Sequence, residues 1–243
     1  MNEVILRAEE GSYPGWPIVI YYHHVHPTID HYTSLTPEYF EKSLEITLDE
    51  IGETLDPHKL NNVKGLDSIK YPRVLITFDD GYKDNIEYAY PILEKYKIRA
   101  LFFVCPSKVE ETPNHNPREN YMNWSDLKFL KSKGHMIGAH TMSHKKLNEC
   151  SIDEMHYEVD QSIYEVKQNL NQEEIYFAYP YGLIPEKRLF AKSKTLAFGT
   201  VKSKAQPWIK QPLQIRRTYY PSNNTSSWRY LAKGWRDQWE KYQ

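Results

Sequence analysis

Cysteine is almost absent: Cys105 and Cys150 are the only two in 243 residues, too few for a disulfide framework. No apolar run approaches the roughly 20 residues that a membrane span needs. The opening Met1-Asn2-Glu3-Val4-Ile5-Leu6-Arg7 has no secretory apolar core. As written, the chain is expected to be cytoplasmic; with a leader removed, the expectation becomes extracellular or cell-envelope. Neither sign of charge dominates, with 31 Lys plus Arg against 32 Asp plus Glu, which argues against nucleic acid as a partner. Internal repeats, low-complexity tracts and a glycine-rich phosphate loop are all missing. What is present is a length suited to one large domain, 1–243, with a full core. Tyrosine is plentiful at 20 residues beside six Trp, which suits either sugar stacking or an ordinary core.

Apolar runs alternate with helical patterns along the chain. Pro17 to Tyr22, Arg73 to Phe78, Ala100 to Val104, Met136 to Ala139, Ile175 to Tyr179, Leu196 to Val201 and Leu213 to Thr218 read as strands. Between them, Thr36-Pro37-Glu38 starts a helix carrying Phe40, Leu44, Leu48 and Ile51. Asn85 to Tyr96 is helical with Pro91 inside it. A short element is expected around Val63 to Ile69, and a short helix from Trp124 to Gly134. Ser151 and Glu154 have capping-box spacing ahead of the stripe Ile152, Met155, Val159, Ile163, Val166 and Leu170. A short helix is expected to begin near Pro185, and the tail with Trp228, Leu231, Trp235 and Trp239 reads as a helix covering the domain. Seven strands alternating with helices predict a parallel α/β fold. An open doubly wound sheet is the alternative to a barrel. The barrel is favoured because His23, Asp79, Asp80, His140, Tyr181 and Arg216 or Arg217 all fall at or past the carboxyl ends of different strands, which one mouth would gather.

The centre of this pattern is Leu75-Ile76-Thr77-Phe78-Asp79-Asp80-Gly81-Tyr82, an apolar strand that stops at two adjacent carboxylates and a glycine. Neighbours on a strand face opposite ways, so Asp79 and Asp80 need either two roles or a turn between them. His140 and His144 stand four apart at another strand end, where both can face one ion. Asp80 is the natural third ligand of a site suited to Zn²⁺, Co²⁺ or Fe²⁺. The polar stretch Ser107 to Asn120 reads as a long loop bordering the site.

Thr77-Phe78-Asp79-Asp80-Gly81, then His140 to His144 after Ala139, then Ala178-Tyr179-Pro180-Tyr181-Gly182 occur in the order of the polysaccharide deacetylases, the NodB-homology proteins of carbohydrate esterase family 4. The resemblance spans roughly residues 17 to 220. It implies a distorted (β/α)₇ barrel that removes N-acetyl groups from amino sugars with a divalent metal, usually zinc, with Co²⁺, Fe²⁺ or Ni²⁺ as alternatives. Carried over, Asp80, His140 and His144 are the ligands, Asp79 is the general base and the Tyr181 backbone N–H helps hold the oxyanion. Two features depart from the family pattern. An arginine that orients the base in many members is replaced by Ala178, and Arg217 is the candidate substitute. The usual C-terminal Leu-x-His is missing, while Tyr22-His23-His24-Val25 resembles the Tyr-His-x-Val of the permuted subgroup that deacetylates poly-β-1,6-N-acetylglucosamine. On that reading His23 is the general acid, with His24 and His26 as neighbouring alternatives. Trp208 is a candidate sugar-stacking residue. The expected activity is deacetylation of an N-acetylated carbohydrate. A deacylase of a small or lipid-linked amide, a non-catalytic carbohydrate-binding barrel and a structural subunit are the alternatives.

Overall fold

A computed structural model describes residues 8–66, 70–109, 115–186 and 195–241. Six strands, β1 (Ile18–Tyr22), β2 (Val74–Phe78), β3 (Ala100–Val104), β4 (Met136–Ala139), β5 (Phe177–Ala178) and β6 (Ala197–Phe198), form one sheet in chain order. Every pairing is parallel, beginning with Ile18 opposite Val74 and ending with Ala178 opposite Phe198. Each strand is buried on both faces, so the runs are apolar rather than alternating.

The expected seventh strand, Leu213 to Thr218, makes single bridges instead of a ladder. Ile215 pairs with Phe198 of β6 and Thr218 with Ile20 of β1, both in parallel. Backbone bonds Gly199 N–H to Ile215 O (2.8 Å) and Tyr21 N–H to Thr218 O (3.0 Å) tie this segment to both edges of the sheet. The segment changes partner within four residues, which leaves no length for a regular ladder, but it curls the sheet round into a distorted barrel.

Period-two alternation sorts the strand residues into two cores. Val19, Leu75, Leu101, Phe103, Met136, Ala178, Phe198 and Ile215 pack together with no residue of the long helices, and so fill the inside of the ring. Ile18, Ile76, Phe102, Ile137 and Phe177 face outward, where Phe40, Leu127, Val166 and Trp235 from the surrounding helices cover them. The next inward positions, one step past the strand ends, are His23, Asp79 and His140.

The helices follow the sequence reading with two changes. Thr36 caps Pro37–Glu50 by accepting the Tyr39 N–H, and Trp228–Glu240 buries Trp228, Trp235 and Trp239. Pro91 is the second residue of the helix Tyr90–Lys95, which follows a π-helical stretch, Asn85–Ala89; the wider turn absorbs the amide that proline lacks. The stripe from Ile152 is likewise interrupted by a π-helical stretch, Tyr157–Gln161, between Ile152–His156 and Ser162–Leu170. The buried line therefore runs Met155, Glu158, Val159, Ser162, Val166 and Leu170, while Ile152 is exposed and Ile163 only partly covered. Of the element expected at Val63 to Ile69, Val63–Leu66 is a short helix and positions 67–69 lie outside the described residues. The helix expected after Pro185 also falls largely outside them.

Candidate active site

Asp79 extends the inward face of β2, and its carboxylate meets the fully buried Arg217 in a two-pronged ion pair, Nη1 to Oδ1 at 2.6 Å and Nη2 to Oδ2 at 2.8 Å. Arg217 is fixed in turn: Nε donates to Gly199 O at 2.6 Å, and the guanidinium lies over the rings of Tyr21 and Phe103. Burial alone would raise the Asp79 pKa, but Arg217, then His140 and His23, outweigh it and hold the carboxyl below its ordinary value. An arginine at Ala178 would approach from β5; Arg217 arrives instead from the segment that closes the ring.

Asp80 would point the other way on a continuing strand. It turns in because its φ is +73°, and Gly81 follows at φ +79°, so the backbone reverses its facing within two residues. Asp80 Oδ1 then lies 3.5 Å from His140 Nε2 and 3.1 Å from His144 Nε2. His140 Nδ1–H donates to Ala178 O at 2.8 Å, which leaves Nε2 as the lone-pair side facing Asp80. The loop between the histidines is folded by two left-handed residues, Thr141 (φ +62°) and His144 (φ +64°), and Thr141 Oγ1 accepts the His144 N–H at 2.9 Å.

These three residues fit a divalent cation. Their ligand atoms lie within 4.8 Å of one another. Asp80 Oδ1 is buried without a hydrogen-bond partner although two imidazole nitrogens face it, as expected of a shared ligand sphere. One carboxylate and two imidazoles with room for further ligands is a catalytic donor set. Burial and the adjacent His140 push the His144 imidazole down to about 4, so it is in the neutral ligating form at ordinary pH. Asp80 is held far below the ordinary carboxylate range: burial opposes this, and His23, His140, His144 and Lys108 override it.

His23 Nε2 lies 4.0 Å from Asp79 Oδ2, and His23 Nδ1 is buried without a partner. Burial lowers its pKa, opposed by Asp80 and Asp79. The three neighbouring histidines have separate settings. His24 stacks on Tyr82 with ring centres 3.5 Å apart, and its Nδ1 is 2.6 Å from Asp84 Oδ2. His26 is taken up by Thr28 and packs edge-on against Tyr88. Of the three, only His23 stands against Asp79.

Tyr181 sits at φ +58°, half exposed, with its ring centre 4.7 Å from that of His144. Among the described residues nothing accepts its N–H, and its carbonyl is held by Lys202 Nζ at 2.9 Å. His23, Asp79, Asp80, His140, His144 and Tyr181 line one open cavity of about 610 Å³, bordered also by Tyr21, Tyr32, Tyr82, Arg118, Thr200 and Tyr219, while Arg217 lies buried behind Asp79. Trp208 is not among them. It is buried at the other end of the barrel, stacked on Trp16, which precedes β1, with ring centres 5.7 Å apart. Neither indole face is open to a sugar, so the stacking role is corrected to a core one. Arg216 likewise points away, donating to the carbonyls of Glu10, Val201 and Ser203.

The sequence reading missed the supports. Asp84 accepts from Val25 N–H as well as pairing with His24, while Asn85 Nδ2 donates to His23 O at 2.8 Å, so these two residues clamp the strand end that carries His23. Glu158 is buried beneath the ligand loop. A carboxylate beside an apolar stripe was the one available signal for it.

Comparison with known proteins agrees with this architecture. The polysaccharide deacetylase family description matches residues 68–197, more than half of the chain. The chain belongs to the polysaccharide deacetylase family. The poly-beta-1,6-N-acetyl-D-glucosamine N-deacetylase of Staphylococcus aureus is 31% identical over 142 residues, 54% of this chain and 48% of that protein. The chain spans about half the length of the curated relatives it matches. Among solved structures, the Streptococcus pyogenes deacetylase PplD, in complex with acetate, superposes with a TM-score of 0.73 at 24% identity, covering 87% of this chain and 93% of that one. IcaB from Ammonifex degensii gives 0.73 at 21% identity, covering 92% and 98%. These two likenesses bear on the fold, a NodB-type distorted barrel.

Proposed function

We propose that this chain is a metal-dependent hydrolase that removes N-acetyl groups from an amino sugar of the N-acetylglucosamine type, releasing acetate and a free amine. The observation that carries the reading is the pairing, on the floor of one cavity, of an arginine-held Asp79 with the Asp80–His140–His144 cluster. The relative named as an N-deacetylase of poly-beta-1,6-N-acetyl-D-glucosamine supports the choice of substrate class.

A divalent cation such as zinc, held by Asp80, His140 and His144, would supply Lewis acidity toward the amide carbonyl and an acidified water. The chain's own residues do the rest. Asp79, ionised and fixed by Arg217, accepts a proton from the attacking water, a step that general bases accelerate by roughly 10²- to 10⁴-fold. The Tyr181 N–H donates to the oxygen that becomes negative when the carbonyl carbon turns tetrahedral. His23 is predominantly neutral at rest, because burial lowers its pKa. It can receive the proton through Asp79, 4.0 Å away, and pass it to the departing nitrogen as the C–N bond breaks. Water has then given its hydroxyl to the acetyl carbon and its proton to the amine.

Acetate release from short N-acetylglucosamine oligomers of β-1,6 and β-1,4 linkage by zinc-loaded protein tests this. Release that falls at least 10²-fold in Asp79→Asn, with the metal retained, is the expected result, and the linkage preference then names the substrate. No release from either series by fully metallated protein would overturn the polysaccharide reading.

A further inference from the structure

Glu158 is a carboxylate with 2% exposure in the middle of a helix that contributes no ligand and no lining to the cavity. It sits at the π-helical stretch Tyr157–Gln161, where the helix departs from its regular spacing. Such insertions cost helical regularity and recur where a side chain or carbonyl must be redirected. Here both are redirected to one place. Glu158 Oε2 accepts the Ser143 N–H at 2.9 Å, Oε1 accepts the Ser143 hydroxyl at 2.7 Å, and Glu158 O accepts the Met142 N–H at 2.9 Å. The Ser162 N–H, which would reach Glu158 O in a regular α-helix, bonds Val159 O instead. From the far side, Met142 O accepts both the N–H and the hydroxyl of Ser107, at 3.0 and 2.5 Å.

Met142 and Ser143 are the two residues immediately before His144, in a loop whose ends, Thr141 and His144, both hold left-handed backbone angles. A four-residue loop with two such angles has no regular structure of its own to keep it in place. Its geometry is set by what accepts its amides. We infer that Glu158 is a positioning residue for the cation site: its carboxylate and carbonyl hold the Met142-Ser143 backbone so that His144 Nε2 stays within reach of Asp80 and His140. Outer partners of metal ligands commonly change metal affinity by 10- to 100-fold when altered, because the first ligands must then be ordered at the moment of binding. Glutamine in place of Glu158 keeps the shape but replaces a charged acceptor with a neutral one, and its amide NH2 must either face the Ser143 N–H or reverse the bond to the hydroxyl.

The inference rests on the reading of Asp80, His140 and His144 as a cation site, and metal titration separates the two. Wild-type protein, Glu158→Gln and Ser143→Ala would be stripped of metal and titrated with Co²⁺, following the visible d–d bands, and with Zn²⁺ in competition with a chelator. The expected result is Zn²⁺ affinity weakened 10- to 100-fold in Glu158→Gln, with altered Co²⁺ band positions. In Ser143→Ala, which loses only the hydroxyl bond, affinity should weaken by roughly 3- to 10-fold, and the double variant should be little worse than Glu158→Gln because both act on one contact. Ser143 is at the surface, so its variant carries the test if Glu158→Gln does not fold. Wild-type affinity and an unchanged Co²⁺ spectrum in the folded variants would overturn the positioning role and leave the cation site standing. No Co²⁺ binding by wild-type protein would overturn both.

Discussion

Asp79 has a neighbour for each of its tasks. Arg217 takes both carboxylate oxygens from one side and His23 waits on the other, while Asp80, one residue on, is turned by its positive φ toward the histidine pair. Lysine at 217 would keep the charge but could not span two oxygens, and its ammonium would lose the stacking that Tyr21 and Phe103 give the guanidinium. Arg217→Lys is therefore expected to lower kcat/KM for acetate release by roughly 10²-fold while bound zinc per chain is unchanged, because none of the three ligands is touched. Zinc content measured beside the kinetics checks this; loss of metal in the variant would place Arg217 in the structural support of the cation site instead. The residue types of the site were legible because they interrupt apolar runs: two carboxylates after Phe78 and two imidazoles after Ala139 have no reason to end buried strands unless chemistry needs them. The choice among His23, His24 and His26 was not legible, because it depends on Asp84 and Tyr82 claiming His24 and on Thr28 claiming His26. Trp208 was misplaced for a related reason. An aromatic residue in a polar stretch can face either end of a barrel, and only its stacking on Trp16 decides which.

Elements show the same division. Strands could be read from apolar runs because both faces are buried, and the inward alternation followed from a period of two. The π-helical insertions could not be read, since the spacing of Met155, Val159, Val166 and Leu170 fits a regular helix equally well. The insertion at Tyr157–Gln161 accompanies the bonds from Glu158 to the Met142-Ser143 backbone, a contact between residues 15 or so apart that no local pattern records. Gly138 tests how tightly the elements are keyed inside the ring. A Cβ there would stand 2.6 Å from Phe103 Cδ1 and 2.7 Å from the Tyr176 carbonyl oxygen, and Phe103 is itself packed under the Arg217 guanidinium. Gly138→Ala must move either a neighbouring strand or the ring that supports Arg217. The expected loss is about 2 to 4 kcal/mol of unfolding free energy, larger than a surface change and comparable with an overpacked core. Chemical denaturation checks the loss. A change below about 0.5 kcal/mol would show that the inside of the barrel can give way.

At the scale of the whole molecule, six paired strands, a bridging seventh segment and a covering layer of helices must stay assembled for groups from five strand ends to share one cavity. His135 reports on that assembly. It is fully buried beside Phe102 and Tyr90, its Nδ1 accepts the Ala100 N–H at 3.1 Å at the start of β3, and its Nε2 has no hydrogen-bond partner. Glu94 is 3.9 Å from Nε2 but is already paired with Arg99. Burial, with Arg99 adding to it, pushes the imidazole down to about 4. An unfolded chain would protonate the same group near 6.5. The unfolded state therefore binds more protons between those values, so the contribution of neutral His135 is complete above about pH 6.5 and is lost as pH falls toward 4, up to about 3 kcal/mol. Protonation of Nδ1 would also remove the acceptor that Ala100 uses. Asparagine can offer its side-chain oxygen near the place of Nδ1 without titrating in this range. Urea unfolding of wild-type protein and His135→Asn from pH 7.5 to 4.5, both stripped of metal so that cation loss does not enter, is expected to show a steeper fall in wild-type stability. The difference between the two should open below pH 6.5 and grow as pH drops; parallel curves would mean that the barrel opens enough on acidification for His135 to titrate as it does in water.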